Sequence, residues 1–401
     1  MQTFVVVGTG IAGFSAVSTL SQEAGDARIV WIGDEVEAPY DRPPLSKDFL
    51  TQDDVALARF SPETSPAKVE MHLGVRVTTI ARDDRCLTTD DGNTIRYDRL
   101  LLATGSSPRP LPKTMNNSHV AHLRTAAHAV DLRRKFRSAR HLVIVGGGYI
   151  GLEVAFSARA RGCSVTMVEV GPSLLGRTGS AALGSWALRT LESNGVDVRL
   201  NTSIAALSGS ADEKTTVHLS DNEGIVADVM LAAIGVLPNC QIATSAGLAT
   251  DNGIVVDAFG RTNDPAIFAA GEATRYPIAK LGGSFRTESW NASRNQAIVA
   301  AKSMAGLPTE AFDELPWNWS DLGRHSVQCL GMPAMGTKRL TIGDAAGDEW
   351  MEIFLDARET LVGCVTVNQS REMSKLRRAL VKESGIPAGL LQRANIRPTA
   401  C

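Results

Sequence analysis

A glycine-rich turn between an apolar strand and a helix occurs twice in this 401-residue chain. The two copies are Gly8–Gly13 and Gly146–Gly151, and both have the spacing G-x-G-x-x-G. Each follows a short β-branched run, 3–7 or 141–145, that is typical of a buried parallel strand. Each also precedes a helical pattern and a second strand. Because a chance match rarely repeats with its whole context, the pattern predicts two βαβ nucleotide-binding units.

The spacing within each turn has a physical reason. The first glycine permits the tight turn, the second lets the backbone approach a pyrophosphate, and the third lets the helix pack closely on the strand. The helix N-terminus then offers unpaired N–H groups to the phosphates, and an acid after the second strand accepts a hydrogen bond from a ribose. A glycine-rich turn that binds nothing is the alternative. The residues concerned are Gly8, Gly10, Gly13 and Asp34 in the first copy, and Gly146, Gly148, Gly151 and Glu169 in the second.

The acid of the second copy also predicts which nicotinamide cofactor is used. Glu169 closes the second strand, where a carboxylate accepts from the adenosine 2′-OH and repels a 2′-phosphate. No arginine follows it directly, since the next residues are Val170 and Gly171. NADH is therefore expected to be preferred over NADPH.

Length and composition limit the class of protein. A chain of 401 residues exceeds the usual size of one hydrophobic core, so two or three domains are expected. The formal net charge of −2 gives no support to nucleic-acid binding, and no apolar run is long enough to span a membrane. A cytoplasmic protein is therefore predicted. The six cysteines show no C-x-x-C pair and no metal-ligand spacing, so no metal site is expected.

The order of the predicted elements gives the domain organisation. Short strands continue the first unit up to the proline-rich segment after Gly105, where a boundary is expected. The second unit ends near Pro238, after which two strands return to the first unit and Ser289–Met304 forms a helix. Alternating strands and a final helix follow, which indicates an α+β domain. The predicted domains are 1–106 with 239–312, 107–238, and 313–401.

Four segments carry a resemblance to a known family: 39–47 (PYDRPPLSK), 103–105 (ATG), 146–153 (GGGYIGLE) and 316–321 (PWNWSD). Over essentially its whole length the chain resembles the FAD-dependent ferredoxin reductases of bacterial oxygenase systems, the group of putidaredoxin reductase, rubredoxin reductase and biphenyl-dioxygenase reductase. The resemblance implies an α/β fold with two Rossmann-like dinucleotide-binding domains of the glutathione-reductase type and a C-terminal α+β domain. It also implies FAD in the first domain, NADH in the second, and a [2Fe–2S] ferredoxin that supplies an aromatic-ring dioxygenase or a cytochrome P450.

The resemblance also assigns residues to both cofactors. One departure concerns the expected partner of the ribityl chain, where the family has Gly-Asp and this chain has Gly271-Glu272. An exposed loop glutamate is the alternative for Glu272. The expected FAD contacts are Gly8, Gly10, Ala12, Gly13, Asp34, Arg42, Lys47, Val77, Ala103, Thr104, Gly105, Arg124, Gly271, Glu272 and Trp290. The expected NADH contacts are Gly146, Gly148, Tyr149, Ile150, Gly151, Glu169, Arg177 and Gly235.

Lys47 and Glu153 are predicted to form a charged pair beside the flavin. By resemblance the loop lysine meets Glu153, in the first turn of the second nucleotide-binding helix, near the flavin N5 atom that receives hydride. A charged pair there would order the nicotinamide and balance developing charge. A structural salt bridge is the alternative. The resemblance further implies that the helix beginning near Trp290 points its positive end at the flavin N1–C2=O edge.

Trp319 is the predicted exit for electrons. By resemblance it lies between the flavin and the docked ferredoxin, whereas two indoles as close as Trp317 and Trp319 are otherwise ordinary core. The family often has glutamine after Ser-Asp, and Leu322 stands there instead, which bears on the partner surface. The basic helix near 375–382 is predicted to attract an acidic ferredoxin, with a solvated helix face as the alternative.

Two other functions remain as alternatives. An NADH oxidase, peroxidase or disulfide reductase on this fold needs a cysteine near the flavin, and residues 40–60 contain none. A non-enzymatic nucleotide-sensing protein, comparable to apoptosis-inducing factor, is less favoured because the net charge is near neutral and both Lys47 and Glu153 are present.

Overall fold

The protein is described by a computed structural model that covers residues 1–60, 69–112, 115, 120–209 and 214–381. The chain folds into two compact units. The first consists of Met1–Arg42, Leu57–Ser107 and Leu237–Trp317, and the second of Pro43–Ala56, Pro108–Val236 and the residues from Asn318 onward. The division into three domains stays a prediction. No helix in the described ranges is both long enough and apolar enough to cross a membrane.

The elements follow one another as strands and helices throughout the chain. Up to residue 121 they are β1 (Thr3–Val7), α1 (Ile11–Glu23), β2 (Arg28–Gly33), α2 (Asp48–Thr51), β3 (Val69–Leu73), β4 (Val77–Ala81), β5 (Cys86–Thr89), β6 (Thr94–Arg96), β7 (Arg99–Leu102), β8 (Ser106–Pro108) and β9 (Val120–Ala121). Up to residue 245 they are α3 (Ala126–Phe136), β10 (His141–Val145), α4 (Tyr149–Ala160), β11 (Ser164–Val168), α5 (Ala181–Ser193), β12 (Val196–Arg199), β13 (Ile204–Ser208), β14 (Thr215–Leu219), β15 (Gly224–Ala227), β16 (Val229–Ala232), β17 (Val236–Pro238) and α6 (Gln241–Ser245). The remaining ones are β18 (Ile254–Val255), β19 (Ile267–Ala269), β20 (Thr274–Ile278), β21 (Gly283–Phe285), α7 (Trp290–Met304), β22 (Trp317–Leu322), β23 (His325–Gly331), β24 (Lys338–Gly343), β25 (Trp350–Leu355), β26 (Leu361–Val367) and α8 (Ser370–Val381).

The first unit is built on a five-stranded parallel sheet in the order β19-β7-β1-β2-β3. The central strand β1 buries Phe4, Val5, Val6 and Val7, as a parallel strand covered on both faces requires. The position of β19 beside β7 confirms that a later segment of the chain returns to this unit.

Strand β3 is one that the sequence pattern did not predict. It lies at the edge of the sheet and, within the described residues, pairs with β2 alone. Glu70 Oε2 on β3 lies 2.6 Å from Arg28 Nη2 on β2, and both side chains are exposed. An edge strand tolerates such polar side chains, so it lacks the apolar run that marks a central strand.

Helices α1 and α7 pack against each other in the first unit. The cluster that they bury includes the small side chains of Ala12, Ala16, Ala297 and Ala300, which let the two helices approach closely. Helix α7 begins after Ser289, whose Oγ accepts a hydrogen bond from Ala292 N. The helix predicted over Ser289–Met304 is therefore confirmed.

The second unit contains a second parallel sheet, in the order β12-β11-β10-β16-β9. Its central strand β10 buries Leu142–Val145, and α4 follows it directly, burying Leu152, Val154 and Ala155. The two predicted βαβ units are thus both present: β1-α1-β2 and β10-α4-β11.

The second unit also holds a sheet in the order β22-β23-β26-β25-β24, with antiparallel pairing through β23, β26, β25 and β24. Helix α8 packs on β23 and β26 and buries Met373, Leu376 and Leu380. The sequence predicted the last three strands but missed the first two. Trp317 and Trp319 lie in its first strand, β22. Strands β22 and β23 carry buried polar residues such as Ser320 and Gln328, which weakens their hydrophobic pattern.

Candidate functional site

The first glycine-rich turn leaves no room for a side chain at two of its positions. Gly8 has φ +116° and donates its N–H to Ile32 O at 2.7 Å. A Cβ built on Gly8 would lie 2.1 Å from the carbonyl oxygen of Ala103, and one built on Gly13 would lie 1.8 Å from the oxygen of Gly8. The turn, the helix and the adjacent strand end are therefore in backbone-to-backbone contact.

The second turn repeats this geometry. Gly146 has φ +106° and donates to Val168 O at 2.8 Å. A Cβ on Gly146 would lie 2.4 Å from Ala233 O, and one on Gly151 would lie 2.1 Å from Gly146 O. Ala233 thus plays the part in the second unit that Ala103 plays in the first.

Helices α1 and α4 differ from α3, α5 and α7 at their N-termini. In α3, α5 and α7 the residues Thr125, Ser180 and Ser289 accept a hydrogen bond from the first turn. In α1 and α4 the corresponding residues are Gly10 and Gly148, which have no side chain to do so. The first-turn N–H groups remain available for an anion, and the turns therefore fit the pyrophosphate of a dinucleotide.

The acid of the first unit lies beyond the end of β2. Asp34 is 60% exposed and lies 3.6 Å from Arg76. Glu35 is more buried, accepting from Tyr40 Oη at 2.5 Å and from Arg42 Nη2 at 2.6 Å. A Cβ on Gly10 would lie 3.9 Å from Arg42 Nε, so this arginine stands beside the N-terminus of α1. The sequence prediction named Asp34 and Arg42 but not Glu35. Because Glu35 directly follows Asp34, it was also a candidate for the acid after the second strand.

The acid of the second unit directly follows β11. Glu169 Oε2 accepts from Gly147 N and Oε1 from Gly171 N, each at 2.7 Å. A charged acceptor with two backbone donors is strongly fixed in orientation. Each carboxylate oxygen keeps further acceptor capacity for a ribose hydroxyl.

Lys47 and Glu153 meet within the second unit. The distance from Lys47 Nζ to Glu153 Oε1 is 3.3 Å, and the Glu153 side chain is only 6% exposed. Ser320 Oγ donates to Glu153 Oε1 at 2.6 Å, and Ser46 Oγ donates to Oε2. Lys47 also lies 3.6 Å from Asp321. The buried charge is therefore matched by a cation and two hydroxyl donors, as burial of a carboxylate requires.

The segment that carries Lys47 is fixed by arginines of the second unit. Arg161 donates to Leu50 O at 2.9 Å and to Asp53 Oδ1 at 2.7 Å, and this bond keeps the pKa of Asp53 below its ordinary value. The Arg133 guanidinium lies 4.0 Å from the centre of the Phe49 ring. Ser157 Oγ donates to Ser46 O at 2.7 Å. The lysine loop is thus an ordered part of this unit.

Gly271 and Glu272 are ordered by neighbours in the first unit. Gly271 N donates to Gln296 Oε1 at 2.7 Å, and a Cβ on Gly271 would lie 2.9 Å from that of Ala12. Glu272 Oε2 accepts from Ser106 Oγ at 2.6 Å. Glu272 is therefore hydrogen-bonded within the fold. Gln296, on α7, is a further residue that the sequence prediction missed.

Trp290 opens α7 and donates from its indole Nε1 to Asp41 Oδ1 at 2.7 Å. The 103–105 turn of the first unit is held by Asn239: Thr104 Oγ1 donates to Asn239 O at 2.6 Å, and Asn239 N donates to Gly105 O at 2.9 Å. Val77 is buried at the start of β4. These predicted residues all belong to the first unit.

The other predicted residues belong to the second unit. Tyr149 and Ile150 open α4, and burial of the Tyr149 hydroxyl raises its pKa well above the ordinary value, with Cys329 and Glu153 adding to the effect. Arg124 directly precedes Thr125, the N-cap of α3, and Arg177 lies in a 3-10 turn. Gly235 has φ +95°, and Trp319 lies in β22. The structure thus places the predicted residues in two groups, one in each unit.

The chain has relatives among known proteins. Residues 2–297 match the family model described as pyridine nucleotide-disulphide oxidoreductase, and residues 317–396 match one described as reductase C-terminal. The chain is 39% identical over 381 residues to the ferredoxin–NAD(+) reductase component of the anthranilate 1,2-dioxygenase system of Burkholderia cepacia, covering 94% of this chain and 93% of that protein.

Solved structures are similar over nearly the whole length. Putidaredoxin reductase, in its covalent complex with putidaredoxin, superposes with a TM-score of 0.91 at 31% identity and covers 97% of this chain and 95% of its own. The ferredoxin reductase for the CYP199A2 system from Rhodopseudomonas palustris has a TM-score of 0.90 at 32% identity, with 96% of each chain covered.

Proposed function

The chain belongs to the pyridine nucleotide-disulphide oxidoreductase family, and we propose that it is an FAD-dependent NADH–ferredoxin reductase that supplies an oxygenase. The observation that carries the proposal is the buried Lys47–Glu153 pair in a chain without a cysteine between residues 40 and 60. The relatives named above as ferredoxin reductases support it. The overall reaction takes two electrons from NADH, yields NAD⁺ and a proton, and delivers one electron to each of two ferredoxins.

FAD and NADH fit the two glycine-rich turns, since both turns exclude side chains and both following helices begin at glycine. Gly8, Gly10, Arg42 and Glu272 would hold FAD in the first unit, and the second turn with Glu169 would hold NADH. When bound, FAD takes two electrons as a hydride and releases them singly, which a [2Fe–2S] acceptor requires.

Lys47 and Glu153 would serve the hydride step. Glu153 follows the turn that holds the nicotinamide nucleotide, and Lys47 balances its charge at 3.3 Å. Because the pair is largely buried, its field acts through little water and is stronger than that of a surface ion pair. We expect the two residues to order the nicotinamide and to compensate the charge that develops during transfer.

Glu169 would set the preference for NADH. Its two bonds to backbone N–H groups fix the carboxylate at the end of β11. A ribose 2′-OH donates to such a carboxylate, whereas a 2′-phosphate is repelled by it. Arg177 is exposed on a nearby turn of the chain and would contact the adenine side.

Trp319 would carry electrons out to the ferredoxin, of Rieske or adrenodoxin type. The basic helix α8 would attract an acidic partner, although Lys375 lies 2.7 Å from Glu372 of the same helix, which lowers the net positive charge. Lys382, which the sequence prediction counted in this helix, lies outside the described residues. The proposed site of action is the cytoplasm.

A disulfide or peroxide reductase is the second candidate in this family. Such an enzyme passes electrons to a thiolate or disulfide beside the flavin. Among the described residues Cys329 and Cys364 are free and buried, and burial raises the pKa of the Cys329 thiol to about 12. A thiol of that kind stays protonated at neutral pH, and the segment 40–60 that carries Lys47 contains no cysteine, so this candidate is not favoured.

Stopped-flow mixing tests the proposal. The purified protein is expected to be yellow, to bleach with NADH, and then to reduce a [2Fe–2S] ferredoxin. Trp319→Ala should slow the ferredoxin step and leave bleaching nearly intact. A colourless protein that takes up no FAD on reconstitution, or bleaching that ferredoxin never reverses, would contradict the proposal.

A further inference from the structure

The strand that carries Trp319 is bonded directly to the Lys47–Glu153 pair. Residues Trp319, Ser320 and Asp321 follow one another in β22. Ser320 is fully buried and donates to Glu153 Oε1 at 2.6 Å, while Asp321 Oδ2 lies 3.6 Å from Lys47 Nζ. Two successive residues of the strand thus contact the two members of the pair.

Glu153 is the point where three separate segments meet. It belongs to α4, after the second glycine-rich turn; Ser46 and Lys47 come from the lysine loop; and Ser320 comes from β22. Its two oxygens accept from Ser46 on one side and from Ser320 on the other. Removing a donor from a buried carboxylate costs free energy, because the oxygen is then left without a hydrogen bond. Each hydroxyl therefore strongly influences the position of the Glu153 carboxylate.

We propose that Ser320 is a positioning residue that holds the Trp319 strand to Glu153, and so links the Lys47–Glu153 pair to the electron exit. This inference rests on the proposed function and deepens it. Ser320 acts through Glu153 in the hydride step and through its chain neighbour Trp319 in the ferredoxin step. Loss of its hydroxyl should therefore affect both steps, whereas loss of the Trp319 indole should affect only the second.

Ser320→Ala is the first test, measured in two half-reactions. Bleaching by NADH should slow about tenfold, in line with the effect of a small misplacement of a reacting group. Ferredoxin reduction, started from protein photoreduced with EDTA as the electron donor so that NADH is bypassed, should slow as well. Ser320→Thr keeps the hydroxyl and should restore a large part of both rates. Ser326→Ala in the neighbouring strand β23 is the matched control, because its hydroxyl faces Ser370 and not Glu153.

A double-mutant cycle separates positioning from mere structural support. In a Glu153→Ala background, which removes the acceptor of the Ser320 hydroxyl, Ser320→Ala should change the remaining bleaching rate by less than twofold. The same loss in both backgrounds, or no loss in the single variant, would overturn the proposal. A wild-type protein that fails to bleach with NADH would instead refute the proposed function, so the two failures are distinguishable.

Discussion

The two glycine-rich turns have nearly the same backbone and different side chains. Gly8 and Gly146 have φ +116° and +106°, and each faces the carbonyl of the alanine that follows a neighbouring strand. They differ at the second residue of the turn and at the end of the second strand. The first turn has Thr9 with Gly33, and the second has Gly147 with Glu169.

Strand register shows that these positions correspond. Val7 pairs with Ile32 in the first unit and Val145 pairs with Val168 in the second, so Gly33 and Glu169 occupy equivalent places. A Cβ on Gly33 would lie 2.3 Å from Thr9 Cγ2, and one on Gly147 would lie 3.2 Å from Glu169 Oε2. The space between the turn and the end of the second strand is filled by the Thr9 side chain in the first unit and by the Glu169 side chain in the second.

This difference decides where the carboxylate of each unit stands. With Glu169 in the shared space, the acid lies at the end of the strand and is fixed by backbone N–H groups. With Thr9 in that space, the acid moves farther along the chain to Glu35 and is held by the side chains of Tyr40 and Arg42. The same fold therefore holds a carboxylate near each turn in two ways, by side chains in the first unit and by backbone N–H groups in the second.

The largest effect is expected from Gly8→Ala and Gly146→Ala. An alanine at positive φ costs about 1–3 kcal/mol, and here its Cβ would also clash with a carbonyl oxygen at 2.1 or 2.4 Å. Gly8→Ala should remove FAD, measured as yellow absorbance per chain, whereas Gly146→Ala should keep FAD and lose bleaching by NADH. Gly162→Ala is the control, since that glycine has φ +84° with open space around it. Equal loss of FAD in both variants would contradict the assignment of one nucleotide to each turn.

A smaller effect is expected from Glu169→Ala. Loss of a charged acceptor for a hydroxyl should lower kcat/KM for NADH roughly tenfold to hundredfold. The value for NADPH should change little or rise, because the repulsion of its phosphate is removed. Steady-state rates with both cofactors measure the ratio, with exposed Glu192→Ala in α5 as the control. An unchanged ratio would exclude Glu169 from the ribose site.

The paired positions can be tested by exchange. Gly147→Thr should destabilise the protein by about 1–3 kcal/mol, because the new side chain crowds Glu169 and Leu174. Adding Glu169→Gly reproduces the Thr–Gly pair of the first turn and should recover part of that loss. Thermal unfolding of the single and double variants gives the coupling free energy. Additive losses would show that the two positions do not share one space.

The sequence predicted those parts of the molecule that depend on local pattern. The central parallel strands, both turns and α7 follow from apolar runs, glycine spacing and a serine cap. Edge strand β3 and strands β22 and β23 were missed because polar side chains interrupt their patterns. Ser46 and Ser320 lie 107 and 167 residues from Glu153 in sequence, and no local pattern indicates that they bond to it. Such contacts depend on the fold as a whole.

The smallest effect is expected from Tyr40→Phe. The change removes only the hydroxyl that donates to Glu35, and the ring remains buried in the same volume. Arg42 still holds the carboxylate at 2.6 Å, so FAD affinity should fall only about threefold to tenfold, within the range of a typical net hydrogen bond of about 0.5–1.5 kcal/mol. Fluorescence titration of the FAD-free protein measures this, and KM for NADH should stay constant. An unchanged FAD affinity would mean that Glu35 is not the acceptor of the first unit and would return that role to Asp34.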